Sequence, residues 1–261
     1  MSLPPDVELI DTHAHIDYDD YASDRDDVIN RAREQGVRYI IDVGATLQGS
    51  RNAVALARRY PDVYAVVGCH PHDAQEFGDA DIAQIGALAK EPKVVAIGEI
   101  GLDYYRNLSP QDRQQSLFIS FIRLARELNL PVVIHTRHAF EDTLRIVREE
   151  KLSRAIVHCF SGDEQFMRDC LDLGFYISFT CNITYKKSQG LRDLIKTVPL
   201  DRFCLETDAP YLSPEGYRGK RNEPSFVNLL AHTVAGIRGI AFEDVCRITT
   251  DNAKRFFALN V

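Results

Sequence analysis

Short apolar runs rich in Val and Ile alternate with longer amphipathic stretches, and this alternation most strongly constrains the fold. Eight such runs can be distinguished, at 7–15, 37–44, 63–70, 94–101, 131–136, 155–160, 175–181 and 203–208. Helical periodicity occurs at 24–35, 48–59, 110–129, 141–150 and 164–173, and the stretch 225–257 predicts two or three further helices. Apolar runs that are separated by helices are typical of parallel strands buried on both faces.

Eight strand–helix units predict an α/β protein with the architecture of a (β/α)8 TIM barrel, followed by extra C-terminal helices. The length of 261 residues lies within the usual range for one such barrel. An open doubly wound sheet is the alternative, but the sequence has no Gly-rich dinucleotide fingerprint to support it. Because no linker, low-complexity segment or composition shift interrupts the pattern, we predict a single domain over 1–261.

Composition and charge exclude several classes of protein. The net charge is −7, so the chain as a whole would not attract nucleic acid and must hold any polyanionic substrate locally. No apolar run approaches bilayer length, and no basic segment followed by a long apolar stretch opens the sequence. We therefore expect a cytoplasmic protein without membrane association. The six cysteines form no CxxC pair, which predicts buried thiols in a reducing compartment.

Potential metal ligands stand at the ends of seven of the eight predicted strands. In a barrel the chemistry lies at the carboxyl ends of the strands. A histidine in an apolar run costs desolvation energy unless it is paired or ligated, so a whole set of them predicts a metal site. His13 and His15 would share one face of the first strand, because side chains alternate along a strand. The residues at these ends are His13, His15, Asp42, His70, Glu99, His135, His158 and Asp208.

The number of ligands predicts two divalent ions, because four imidazoles and two carboxylates exceed the needs of one tetrahedral ion. Glu99, between Gly98 and Gly101 in the sequence, is the predicted bridging carboxylate. We expect Asp208 to be a ligand and also the base or orienter of the attacking water. Glu206 either holds a ligand histidine in its tautomer or forms a structural ion pair. Histidine-rich coordination favours Zn²⁺, Mn²⁺, Ni²⁺ or Fe²⁺ over Mg²⁺, and the metal identity stays open.

A second set of residues is expected to contact substrate or to support the ligands. His70 and His72 could contact substrate, donate a proton to the leaving group, or fix their loop. Basic residues next to aromatic ones could pair a phosphate while the ring stacks a base, with a solvated surface charge as the alternative. The basic candidates are Arg106, Lys186, Lys187, Arg218, Lys220 and Arg221. Arg137 and His138 could face the same mouth, whereas His232 is expected to be structural.

Six blocks of the sequence resemble, in the right order, the signature blocks of the TatD family. They are DTHAH at 11–15, GEIGLD at 98–103, PVVIHTR at 131–137, HCFSG at 158–162, ETDAPY at 206–211 and RGKRNEP at 218–224. TatD proteins are similar to the amidohydrolase superfamily, so the resemblance implies a distorted TIM barrel and a metal-dependent hydrolase. Several members act as 3′→5′ deoxyribonucleases. The implied metal ligands are His13, His15, Glu99, His135, His158 and Asp208.

Three hypotheses about function follow. The first is a two-metal phosphodiesterase that removes nucleotides from DNA 3′ ends, with a hydroxide bridging the two ions as the nucleophile. The second keeps the same site and hydroxide but cleaves amides or esters, including acylated RNA. The third is a non-catalytic metal-binding scaffold, which a missing ligand would favour. DNA strand ends or another phosphodiester are the expected partners, and no obligate protein partner is predicted.

Overall fold

The computed structural model of the protein describes residues 7–259. Residues 1–6 and 260–261 lie outside this description. The expectation that no signal peptide is present concerns the N-terminal segment, which therefore lies outside the described residues. The strands of one sheet follow the sequence in the order β1 to β8. They are β1 Leu9–Ala14, β2 Val37–Gly44, β3 Val63–Val67, β4 Val94–Asp103, β5 Val132–Arg137, β6 Ala155–Val157, β7 Tyr176–Phe179 and β8 Phe203–Leu205.

Helices alternate with these strands, and two more complete the described chain. They are α1 Arg25–Glu34, α2 Leu47–Arg59, α3 Asp79–Leu88, α4 Gln111–Leu128, α5 Phe140–Glu149, α6 Glu164–Asp172, α7 Gln189–Thr197, α8 Val227–Arg238 and α9 Phe242–Phe257. The last two confirm the predicted C-terminal helices. A short 3-10 turn, Pro224–Phe226, precedes α8.

The first strand pairs on both of its sides. β1 pairs in parallel with β2, and Ala14 also forms a parallel bridge with Ala209, which follows β8. Beside that bridge, the Asp208 N–H donates to the His13 carbonyl at 2.9 Å. This strand order, with a helix after each strand, is the topology of a (β/α)8 barrel. The predicted fold class is therefore confirmed.

The contacts divide the chain into two compact units, 1–42 with 178–261 and 43–177. In the first unit, α9 packs on β1, and the Thr250 hydroxyl donates to the Glu8 carbonyl at 2.8 Å. In the second unit, α4 packs on β4, and it buries Phe118 and Phe121 completely or nearly so. We call these the first and the second unit below. The single domain over 1–261 stays a prediction.

Some strands end earlier than their apolar runs predict. β6 ends at Val157 and β8 at Leu205, so His158 and Asp208 follow their strands instead of ending them. Cys159 and Asp208 have φ angles of 45° and 56°, and this left-handed backbone is incompatible with a continuing strand. His158 and Asp208 therefore lie in turns directly after their strands, at the carboxyl edge where the active site of a barrel is expected.

Two further expectations concern the cysteines and the membrane. All six cysteines are free thiols and five of them are buried, as predicted, whereas Cys159 is partly exposed. Within residues 7–259, no single helix has both the length and the apolar composition needed to cross a bilayer. One pair of helices, Pro224–Arg238 and Phe242–Phe257, meets that requirement only when combined, and it is bent by 113°.

Candidate metal centre

In the first unit, two histidines of the N-terminal segment bring their ring nitrogens together. The Nε2 atoms of His13 and His15 lie 3.3 Å apart, and both side chains are buried. The Nε2 atom of His15 also lies 3.6 Å from Oδ1 of Asp208. His13 lies in β1 and His15 directly follows it, and the alternation of side chains along the extended chain explains why both reach the same point. Two imidazoles and one carboxylate thus converge as the sequence predicts.

A buried carboxylate that sequence reasoning gave no role fixes this arrangement. Asp11 accepts hydrogen bonds from the N–H of Thr207 at 2.9 Å, from its hydroxyl at 2.5 Å and from the N–H of His13 at 3.3 Å. Burial raises the pKa of Asp11 to about 8, although these hydrogen bonds oppose the shift. Because Thr207 precedes Asp208, Asp11 joins the two segments that carry His13 and Asp208.

Glu206 lies beside the first of the two histidines. Its carboxylate is buried, and an oxygen of this group lies within 4.8 Å of a ring nitrogen of His13. This position agrees with the first of the two roles predicted for Glu206, in which it holds a ligand histidine. Ligating histidines commonly depend on such a neighbouring carboxylate for ring orientation.

Two more carboxylates surround His15. Asp42, a predicted strand-end candidate, is fully buried and accepts a hydrogen bond from the N–H of Asp17 at 3.2 Å. Burial raises the pKa of Asp17 to about 6 and, together with the charge of Asp17, raises that of Asp42 well above its usual value. Among the described residues, Asp17 Oδ1 and Asp42 Oδ2 are buried without a hydrogen-bond partner. Buried carboxyl groups with raised pKa values and unpaired oxygens fit a site that a cation next to His15 would stabilise.

In the second unit, three imidazoles converge on the carboxylate of Glu99. Its Oε1 lies 2.7 Å from Nδ1 of His135, 3.1 Å from Nε2 of His158 and 3.6 Å from Nε2 of His70. Burial lowers the pKa of His70 well below its usual value, as do the other histidines, against the attraction of Glu99. His70 is therefore a neutral imidazole, the form that binds metal. The structure thus places it with the predicted ligands.

Asp103 is the second group that sequence reasoning missed. It is buried at the end of β4, and its Oδ2 lies 2.8 Å from Nε2 of His72 and 3.4 Å from Nε2 of His135. Burial lowers the pKa of His135, but the bonds to Asp103 and Glu99 outweigh it, so the pKa is raised. The only signal for Asp103 in the sequence was its place in the 98–103 block.

The basic candidates are placed in different ways. Lys186 and Arg106 are exposed, and the Arg106 N–H donates to Oδ1 of Asp103 at 2.8 Å. The guanidinium of Arg221 is already bound to both oxygens of Asp24, at 2.9 and 2.6 Å. Arg221 thus has a protein partner, and its predicted contact with a phosphate stays a prediction. His232 stacks on Phe242 with ring centroids 3.8 Å apart, which agrees with a structural role.

Each unit therefore carries its own group of converging, buried nitrogen and oxygen donors. Neutral imidazoles with carboxylates form the ligand type that Zn²⁺, Mn²⁺, Ni²⁺ and Fe²⁺ share. The ligand atoms of His70, Glu99 and His135 lie within 4.8 Å of one another, close enough to surround one ion. The donor chemistry of both groups fits divalent cations.

Comparison with known proteins gives the family. The family model described as TatD related DNase matches residues 10–258. An uncharacterized metal-dependent hydrolase, YabD of Bacillus subtilis, is 42% identical over 254 residues, 97% of this chain and 100% of its own. The 3′-5′ ssDNA/RNA exonuclease TatD of Erwinia tasmaniensis is 39% identical over 259 residues, 96% of this chain and 100% of its own. The chain belongs to the TatD family of metal-dependent hydrolases, which confirms the resemblance in sequence.

A solved structure supports the same conclusion for the fold. The TatD homologue YjjV of Escherichia coli superposes with a TM-score of 0.92 at 30% sequence identity, over 96% of this chain and 98% of that one. A TatD family hydrolase of Entamoeba histolytica gives 0.88 at 26% identity, with 96% and 98% covered. The individual ligands, the number of ions and the bond cleaved stay predictions.

Proposed function

We propose that the chain is a 3′→5′ deoxyribonuclease that hydrolyses phosphodiester bonds at DNA strand ends. The observation that carries the proposal is the convergence of imidazole nitrogens on Oε1 of Glu99, at 2.7, 3.1 and 3.6 Å. Relatives named as 3′-5′ ssDNA/RNA exonucleases support the choice of bond. The proposed ligands of two divalent ions are His13, His15, Glu99, His135, His158 and Asp208.

The positions of the proposed ligands along the chain agree with the fold class. Active sites of TIM barrels are built from the carboxyl ends of several strands, and the proposed ligands lie at or just after such ends. Glu99 would be a ligand of both ions. When bound, a pair of divalent ions activates water and neutralises charge on the phosphoryl oxygens.

The chain's own residues supply the remaining steps. Asp208, whose Oδ1 lies 3.6 Å from His15, is proposed to take or orient the proton of the attacking water. His72, about a quarter exposed at 28% and bound to Asp103 at 2.8 Å, is proposed to protonate the leaving oxygen. Glu206 and Asp103 would hold the ligands His13 and His135 in their productive orientations.

Replacement of Glu99 tests the proposal. Glu99→Ala should lower the rate of nucleotide release from a 3′-labelled single strand by about 100-fold or more, the scale for removal of one catalytic electrostatic group. Glu76→Ala removes an exposed carboxylate of the same unit and should keep the wild-type rate. Both variants should give the wild-type circular dichroism spectrum. A wild-type rate for Glu99→Ala with added Mg²⁺ or Mn²⁺ would contradict the role of Glu99.

A substrate panel tests the bond that is cleaved. Single-stranded DNA, duplex DNA, RNA, acylated RNA and small esters or amides should each be assayed with Zn²⁺, Mn²⁺, Ni²⁺, Fe²⁺ and Mg²⁺. We expect the highest kcat/KM on single-stranded DNA. Turnover of the esters or amides alone, lost in the Glu99→Ala protein, would instead establish the second hypothesis. No turnover on any substrate would favour the non-catalytic scaffold.

A further inference from the structure

A cleft lies in the first unit, directly after the segment that carries Asp208. The cleft is open to solvent on one side and has a volume of about 620 Å³. Its lining includes Tyr185, Tyr211, Arg218 and Lys220, with Asp20 as its one acidic residue among those that the structure describes. Sites for small organic ligands generally enclose ~300–1,000 Å³, so the cleft has room for one nucleotide. The metal ligands and acid–base groups proposed above do not line it.

One wall of this cleft is continuous with the candidate metal ligands. The N–H of Tyr211 donates to the carbonyl of Asp208 at 2.9 Å, and the Tyr211 ring lies edge-to-face with that of His15, with centroids 6.3 Å apart. The Tyr211 side chain is nevertheless 53% exposed. A large aromatic ring that lies beside a proposed metal ligand and is exposed to solvent can stack on a nucleic-acid base next to the reacting phosphate.

Two cations of the same loop supply the positive charge that a bound phosphate requires. The Arg218 guanidinium lies over the Tyr185 ring, 4.6 Å from its centroid, and Lys220 is exposed. Among residues 7–259, neither Arg218 nor Lys220 forms an ion pair with a carboxylate, whereas Arg221 binds Asp24. Both charges therefore remain available to an anion in the cleft.

Hydrogen bonds hold this cleft in shape. The Tyr185 hydroxyl donates to the Ser213 carbonyl at 2.9 Å, and the Ser213 hydroxyl donates to the Lys220 carbonyl. The Asn222 amide donates to the Tyr211 carbonyl at 2.5 Å. The backbone that carries Tyr211 and Lys220 is thus held in place before any ligand arrives, which reduces the entropy lost on binding.

We propose that this cleft binds the nucleotide of a single-stranded nucleic acid that adjoins the scissile bond. The base stacks on Tyr211, and a backbone phosphate pairs with Arg218 and Lys220. The assignment rests on the proposed nuclease function and names its substrate class. A paired base must be unpaired and unstacked before it can enter the cleft, so the cleft favours single-stranded over duplex ends.

Binding without catalysis tests the cleft. The affinity of a 5′-fluorescein-labelled oligothymidylate is measured by fluorescence anisotropy in EDTA over a range of salt concentrations. Tyr211→Leu should weaken binding about tenfold, within the range for loss of one base–aromatic stack. The double variant Arg218→Ala/Lys220→Ala should reduce the slope of log K against log salt by about 0.7 for each phosphate that the protein no longer neutralises.

Matched controls separate the cleft from general effects. Tyr39→Leu removes a partly exposed tyrosine of β2 that does not line the cleft, and it should bind as the wild type. Arg168→Ala/Arg247→Ala removes two exposed cations elsewhere and should leave the salt slope nearly unchanged. Melting temperatures within a few degrees of the wild type should verify that each variant is folded.

The outcomes distinguish the cleft from the nuclease activity. If the wild type cleaves DNA but Tyr211→Leu and Arg218→Ala/Lys220→Ala bind like their controls, the cleft assignment is wrong and the nuclease function stands. If the wild type binds the oligonucleotide and the variants weaken binding as expected, but nothing is cleaved, the cleft stands and the nuclease function falls. An absence of wild-type binding overturns the cleft assignment directly.

Discussion

Asn222 holds the segment that carries Asp208, and its replacement gives the sharpest test of the site's construction. Its side-chain amide donates to the carbonyls of Thr207 at 2.9 Å and Tyr211 at 2.5 Å, while its Oδ1 accepts from the N–H of Glu223 at 2.9 Å. The residue is fully buried. Both ends of the turn around Asp208 therefore depend on a single NH₂ group.

The Asn222→Asp variant has the same shape but replaces both donors with an acceptor. The two carbonyls lose their donors, at a cost of about 1–3 kcal/mol for each buried acceptor left unsatisfied. The new carboxylate would also face these carbonyls while buried, so we expect a total loss of about 3–6 kcal/mol. Asn222→Ala removes all three bonds without adding a charge, which costs about 3 kcal/mol at roughly 1 kcal/mol per bond.

Urea unfolding followed by circular dichroism measures these losses. A loss of 1 kcal/mol lowers the melting temperature of a chain of this size by ~2–4 °C, so Asn222→Asp should melt roughly 6–24 °C below the wild type. The new buried carboxyl would have a raised pKa in the folded state, so its deficit should shrink at pH 4.5 and grow towards pH 8. Asn30→Asp, at an exposed position, should change stability by less than about 0.5 kcal/mol. Equal stability of Asn222→Asp and the wild type would refute the orientation of this amide and its role.

Three further predictions concern the metal ligands and the thiols. Saturating Zn²⁺ or Mn²⁺ should raise the melting temperature of EDTA-treated protein by about 5–10 °C, because an ion at 100 times its Kd stabilises the folded state by ~2.7 kcal/mol. No shift would contradict metal binding to the folded chain. Asp103→Asn should weaken metal affinity by about 10–100-fold through His135, measured by competition with a chelating dye, and unchanged affinity would exclude that role. Iodoacetamide at pH 8 should label Cys159 in the native protein, and mass spectrometry that finds Cys170 labelled first would be inconsistent with its burial and its raised pKa of about 12.

The fold was largely predictable because the strands are hydrophobic on both faces. Their apolar runs can be recognised in the sequence without knowing which elements pack against them. The bounds of two helices, α3 and α7, were not predicted. The periodicity that identifies a helix in sequence comes from the face that it buries. α3 buries only Ile85 and Gly86, so it gives little of that signal. α7 does carry it, with Leu191, Leu194 and Ile195 on one face, but the helix is only nine residues long.

The types of the candidate ligands were predictable, but the groups that hold them were not. A histidine or glutamate next to an apolar run is conspicuous locally. The role of Asp11 depends on Thr207, 196 residues later, and that of Asp103 depends on His72, 31 residues earlier. Such pairings appear only when distant strands of the sheet are brought together. The same limitation explains why the sequence placed His70 with the substrate contacts and not beside Glu99.

The cations of segment 218–221 look equivalent in the sequence, but the structure gives them different interaction partners. From the sequence, Arg218, Lys220 and Arg221 were all candidates for a phosphate, because they stand in one cluster of cations near a tyrosine. The planar guanidinium of Arg221 matches the two oxygens of Asp24 and is held there by both of them. Arg218 and Lys220 remain exposed beside the cleft. Since an anion gains most from a cation that is not already neutralised, the electrostatic argument for phosphate binding is stronger for Arg218 and Lys220 than for Arg221, which anchors the loop that presents them.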